Sequence, residues 1–160
     1  MKRLIFILFC VLCFGVKSFT QNIDLDKYEI HLGDTIISKS DFIKNGSLLD
    51  SSRLKNLQFM PIADGQKIIY YLNGKVYSQG TIKNGKRNGY WKFWNLNGNE
   101  AREGNFVDGK PDGTHKYWYE DGHLRGIGNW KDGVYDGEWN IYNEDGTKTT
   151  QVYKNGKLIK

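Results

Sequence analysis

The sequence predicts an all-β fold: an elongated antiparallel meander of 24-residue β-hairpin repeats with an N-terminal cap. Three observations carry that expectation. Glycine recurs at a fixed period, most of these glycines follow Asn or Asp, and strand-length runs rich in aromatic residues lie between them. Gly74, Gly98, Gly122 and Gly146 stand 24 apart, as do Gly65, Gly89, Gly113 and Gly137. So do Gly80, Gly104 and Gly128, and Gly85, Gly109 and Gly133, while one missing residue in the last unit puts Gly156 at 23 from Gly133. A fixed period held in register is the mark of a repeat array.

In chain order, the first segment reads as a signal peptide, residues 1–20. Lys2 and Arg3 precede an apolar run from Leu4 to Val16, followed by Lys17, Ser18, Phe19, Thr20 and Gln21. The run suits a secretory core and is short for a membrane span, although an uncut anchor is the alternative. Cleavage near Thr20 is expected, giving an exported protein that is periplasmic, at the outer surface or secreted. Cys10 and Cys13 lie inside the run and follow bulky Phe9 and Leu12, which disfavours lipid attachment. The mature chain then has no thiol for a disulfide, catalysis or a metal site. Removal of Lys2, Arg3 and Lys17 leaves 20 basic residues against 18 acidic ones. In the array the basic residues are spaced singles among acids, a solvated face and not a nucleic-acid footprint.

Residues 21–64 are expected to cap the array, because terminal units of repeat proteins need a different outer face. Lys27 to His31 and Thr35 to Ser38 read as strands around Leu32, Gly33 and Asp34, with a looser polar stretch from Asn45 to Asn56. Asp64 and Gly65, followed by Ile69 and Tyr70, align with Asn88, Gly89, Phe93 and Trp94, so a half-repeat leads into the array.

Residues 65–160 hold about four units. Asn73, Asn97, Asp121 and Asp145 precede one glycine column; Asn84, Asp108, Asp132 and Asn155 precede another. Such dipeptides supply the positive φ of tight hairpin turns. Turns are accordingly expected at Gly74, Gly85, Gly89, Gly98, Gly109, Gly113, Gly122, Gly133, Gly137 and Gly146. Strand alternation places Trp91 and Phe93, His115 and Tyr117, and Trp139 and Ile141 on one apolar face. Lys92 and Trp94 fall on the other, with Trp118, Tyr142 and the preceding Tyr70 in the same column as Trp94. Gly80, Gly104 and Gly128 stand two residues before Ile82, Phe106 and Trp130, leaving gaps that neighbouring rings can cover.

The segment from Gly80 to Gly89, with its echoes from Gly104 to Gly113 and from Gly128 to Gly137, resembles the MORN repeat, particularly its bacterial variant. The resemblance implies elongated hairpin arrays used as scaffolds, some touching membranes or partner proteins, some labelled antitoxins. His115 departs from the pattern where Trp91 and Trp139 stand, and Val152 occupies the slot of Gly128, changes expected to loosen the second and last units.

Little in the sequence points to catalysis. His31, His115 and His123 have no dyad or ligand spacing, and Asp108, Asp112, Asp132 and Asp136 fill slots that Asn84 and Asn88 fill in the first unit. The serines gather in loops, no phosphate-binding glycine loop is present, and no cofactor or metal is expected. The candidate binding surface is the ladder of Tyr70, Trp94, Trp118 and Tyr142, flanked by Lys92 and Lys116. The expected function is a non-catalytic scaffold for protein–protein interaction at the cell envelope. A glycan or cell-wall-binding module is the alternative, a membrane surface a further possible partner, and an antitoxin-type partner binder comes third.

Overall fold

Both residues of Asn84–Gly85, Asp108–Gly109, Asp132–Gly133 and Asn155–Gly156 take positive φ, with the Asn and Asp between 48° and 51°. That is type I′ geometry, whose twist matches the flanking strands. At the opposite ends of the hairpins the loops close around Gly74, Gly98, Gly122 and Gly146. In each, the glycine N–H returns to the carbonyl three residues back, as Gly74 does to Tyr71 at 2.9 Å. The preceding Asn or Asp side chain accepts from the amide two residues on, at 2.9–3.0 Å in all four loops.

The computed structural model describes residues 24–160. The expected signal peptide lies outside the described residues. The array consists of β4 (Gly65–Tyr70), β5 (Val76–Lys83), β6 (Lys86–Trp94), β7 (Glu100–Val107), β8 (Lys110–Trp118), β9 (Leu124–Lys131), β10 (Val134–Tyr142), β11 (Lys148–Lys154) and β12 (Lys157–Leu158). Each strand pairs antiparallel with the next. The chain is an all-β meander of hairpins, as its periodicity predicts.

Before the array come β1 (Tyr28–Leu32), β2 (Thr35–Ile37), two short helices α1 (Lys39–Asn45) and α2 (Ser51–Leu54), and β3 (Leu57–Pro61). The stretch expected to be loose thus carries helical turns: Asp50 caps α2 through the Arg53 amide at 2.9 Å. These strands extend the same sheet, which has 12 strands in the order β12 to β4, then β2, β1 and β3. The junction departs from a meander, because β2 runs parallel to β4 through only two residue pairs, Ile36 with Ile69 and Ile37 with Tyr70.

Three glycines expected at turns lie elsewhere. Gly89, Gly113 and Gly137 sit inside β6, β8 and β10, at φ of 71°, 79° and 98°, where the register shifts against the preceding strand. They are bulge residues: opposite one residue of the partner, the second strand accommodates extra residues. A second irregularity separates Phe93 from Trp94 and Tyr117 from Trp118, but none occurs between β10 and β11. The residue missing from the last unit is therefore this bulge residue. Its loss puts Gln151, and not Val152, opposite Trp139, in the place where Gly104 faces Trp91 and Gly128 faces His115.

Two clusters form the core. Ile30, Ile37, Phe42 and Leu49 gather in the N-terminal segment, and Trp91, Phe93 and Phe106 in the array. Gly80 shows why its column is glycine: a Cβ there would lie 2.3 Å from the Trp91 ring, and at Gly128 it would lie 2.2 Å from Trp139. The rings lie flat on bare backbone, as the spacing predicts.

Candidate functional site

The rings of the apolar face do not stop at the buried members. Trp91 and His115 are 0% exposed, whereas Tyr117, Trp130 and Tyr135 beside them are half-buried. Contacts run on through Phe106 to His115 (5.3 Å between centroids), His115 to Trp130 (6.0 Å), Trp130 to Tyr135 (4.4 Å) and Tyr135 to Tyr153 (5.0 Å). All strands belong to one sheet, and the helices among the described residues are confined to residues before the array. Among the described residues, arginines cover this face in place of a second layer. Arg87 lies 5.1 Å over both Trp91 and Phe93, Arg102 5.1 Å over Phe106 and 5.2 Å over Tyr117, and Arg125 5.7 Å over Tyr117. None of the three pairs with a carboxylate among the described residues.

His115 keeps the hydrogen bond of the indoles it replaces. Trp91 Nε1 donates to the Thr81 carbonyl at 3.1 Å and Trp139 Nε1 to that of Asn129 at 3.0 Å; His115 Nε2 donates to the equivalent Asn105 carbonyl at 2.7 Å. Its Nδ1 accepts from Arg102 Nε and Nη2 at 3.3 and 3.1 Å. Burial, aided by the Arg102 charge and opposed by the Asn105 carbonyl, lowers the imidazole pKa to about 4. The imidazole thus keeps the indole's place and its carbonyl partner in the second unit.

The other face places the predicted binding residues in different settings. Lys92 and Lys116 converge on Glu103, Lys92 at 3.5 Å and Lys116 at 3.0 Å, and Lys92 also reaches Glu100 at 2.7 Å. Burial alone would raise the Glu103 carboxyl, but hydrogen bonds from Tyr90 and Lys116 and the two lysine charges hold it below its usual range. These lysines are therefore occupied with the protein's own acids. Tyr70 packs against the N-terminal core. Trp94, Trp118 and Tyr142 are half-buried at the loop ends of their strands, and among the described residues no ring contact joins one to another. Lys148 approaches Tyr142 at 5.9 Å. The backbone carbonyls of Trp94 and Tyr142 accept the hydroxyls of Tyr71 and Tyr119 at 2.7 and 3.0 Å, staples between successive units.

The sequence reading missed the arginines. For Arg102 the signal is the column Ser78, Arg102, Gly126, which varies together with Trp91, His115, Trp139: a small residue with each indole, a large cation with the imidazole.

Residues 63–84 and 111–132 match the MORN repeat variant family model. Each match runs from an ascending strand through its loop to a type I′ turn, and the two starts are 48 residues apart, two periods. MORN repeats are generally modules for interaction with proteins or membranes. No curated protein matches the chain.

Proposed function

We propose that this chain is an exported, non-catalytic scaffold at the cell envelope that binds a partner protein through the ring-and-arginine face of its array. The observation that carries the reading is the set of guanidiniums lying on rings without carboxylate partners among the described residues. A stacked guanidinium keeps its N–H edge free for an acceptor, and Arg, Trp and Tyr are the residues that dominate interface energetics. Arg102 spends part of its edge on His115, so Arg87 and Arg125 are the cations on offer to an acidic partner.

The test compares the protein with two variants, Arg125→Glu and the triple replacement of Trp94, Trp118 and Tyr142 by Ala, in cross-linking against envelope extract and in binding to purified glycans. Protein capture lost in Arg125→Glu and kept in the triple variant supports the reading. The reverse pattern moves the site to the ladder, and glycan binding without protein capture overturns it. Export is checked by fractionation and N-terminal sequencing, with Gln21 as the expected first residue of the mature protein.

A further inference from the structure

A cleft of about 670 Å³ opens where the N-terminal segment meets the first repeat, within the range of small-molecule sites. Its apolar lining is aliphatic for the most part, the half-buried Ile36, Ile62, Ile69 and Ile82 over a buried floor of Ile30, Ile37 and Trp91. Lys39, Lys67, Lys86 and Arg87 also line it, against Asp26 and Glu29. Glu29 is committed, since its carboxylate holds Lys67 at 2.9 Å and His31 at 3.1 Å. That leaves Lys39, Lys86 and Arg87 facing Asp26 alone.

Among the described residues neither Lys39 nor Arg87 has an ion-pair partner. Burial lowers the pKa of both, and each is within electrostatic reach of a like charge, Lys39 of Arg87 and Arg87 of Arg102. Two cations converge on an apolar cavity; Asp26, Asp24 and Glu29 act on Lys39 from a distance, but none of them pairs with it or with Arg87 among the described residues. Apart from Ile62, the apolar walls are side chains of β1, β2, β4, β5 and β6, so the cleft offers apolar surface together with charge.

We propose that this cleft binds a linear aliphatic carboxylate, its chain among the isoleucines and its head on Arg87 and Lys39. A guanidinium fixed by stacking is suited to bidentate capture of a carboxylate, and the lysine adds a point charge. Arg87 is shared with the proposed partner face but Arg125 is not, so dodecanoate binding and the partner capture tested by Arg125→Glu fail independently of each other.

Titration calorimetry of the protein with dodecanoate, dodecanol, dodecyl phosphate and acetate tests this. Dodecanoate is expected to bind with one site per chain, acetate and dodecanol at least about tenfold more weakly, since a charge-assisted hydrogen bond and the buried chain are each worth that much or more. Dodecyl phosphate separates a carboxylate site from a general anion site, and its binding tighter than dodecanoate would overturn the assignment of the head. Arg87→Gln with Lys39→Gln is expected to weaken dodecanoate at least about tenfold and leave dodecanol unchanged. Equal binding of dodecanol and dodecanoate by the unmodified protein would overturn the proposal without any variant having to fold, as would the absence of dodecanoate binding.

Discussion

At the scale of single side chains, the second unit carries a paired change. Ser78 with Trp91 and Gly126 with Trp139 combine a small residue and an indole; Arg102 with His115 combines a long cation and a smaller ring. The imidazole keeps the carbonyl bond, and the guanidinium takes up its free nitrogen. His115→Trp alone should overpack the face and Arg102→Ser alone should strip Nδ1 of its donor, each costing about 1–3 kcal/mol. Together they restore the pattern of the first unit, so a double-mutant cycle by urea denaturation should show favourable coupling of at least about 1 kcal/mol. Additive losses would sink the idea. The same pair sets a pH dependence. His115 titrates at about 4 when folded against an ordinary value of 6.5, so between these values the unfolded chain binds the proton and the native state does not. Stability should therefore fall as pH drops from about 6.5 towards about 4, and the double variant should lose that part of the slope.

At the scale of elements, the hairpins and their type I′ turns were legible because Asn-Gly and Asp-Gly supply two successive positive φ angles at low steric cost. The bulges were not. Asp112–Gly113 and Asp132–Gly133 look alike in sequence, and only the partner strand's continuation distinguishes a mid-strand bulge from a turn. Likewise Lys92 and Lys116 look free until hairpin register sets both beside Glu103. Register also gives Asp64, Asp112 and Asp136 a common role, which Asn88 in the same slot does not share among the described residues. Asp64 accepts from the amides of Asn84 and Gly85 at 2.8 and 3.0 Å, and those two bonds, Gly85 first, hold its carboxyl below the usual range. Asp112 and Asp136 reach the turns at Asp132 and Asn155 in the same way, at 3.3 Å. Each bond is to a carboxylate oxygen, and the side-chain amide of Asn carries an acceptor of the same kind. Asp64→Asn should leave amide exchange at Asn84 and Gly85 little changed, while Asp64→Ala should accelerate it about tenfold; equal acceleration in both would show that charge, not acceptance, matters.

At the scale of the molecule, the array was readable because each unit repeats one pattern, whereas the junction with residues 24–64 was not, since a parallel contact of two residue pairs leaves no periodic trace. The cleft that forms there was invisible for the same reason. Within the array, the first two units meet their neighbours through the same register, Trp91 opposite Gly104 and His115 opposite Gly128. Stability should then be a sum of units and interfaces. Deleting residues 98–121 joins Asn97 to Gly122 and brings Trp91 opposite Gly128, a pairing the array already uses one unit along. The shortened protein should unfold cooperatively, less stable than the parent and with a urea m-value lower by roughly a sixth, in line with 24 residues lost from the 137 described. Deleting only residues 98–109 puts β8 where β7 stood: the strands still alternate in direction, but an ascending strand's residues fall in a descending strand's place and Trp91 no longer faces a glycine. That protein should show no cooperative transition, and if it folded as well as the 24-residue deletion, the fit of ring against glycine would not be what couples the units.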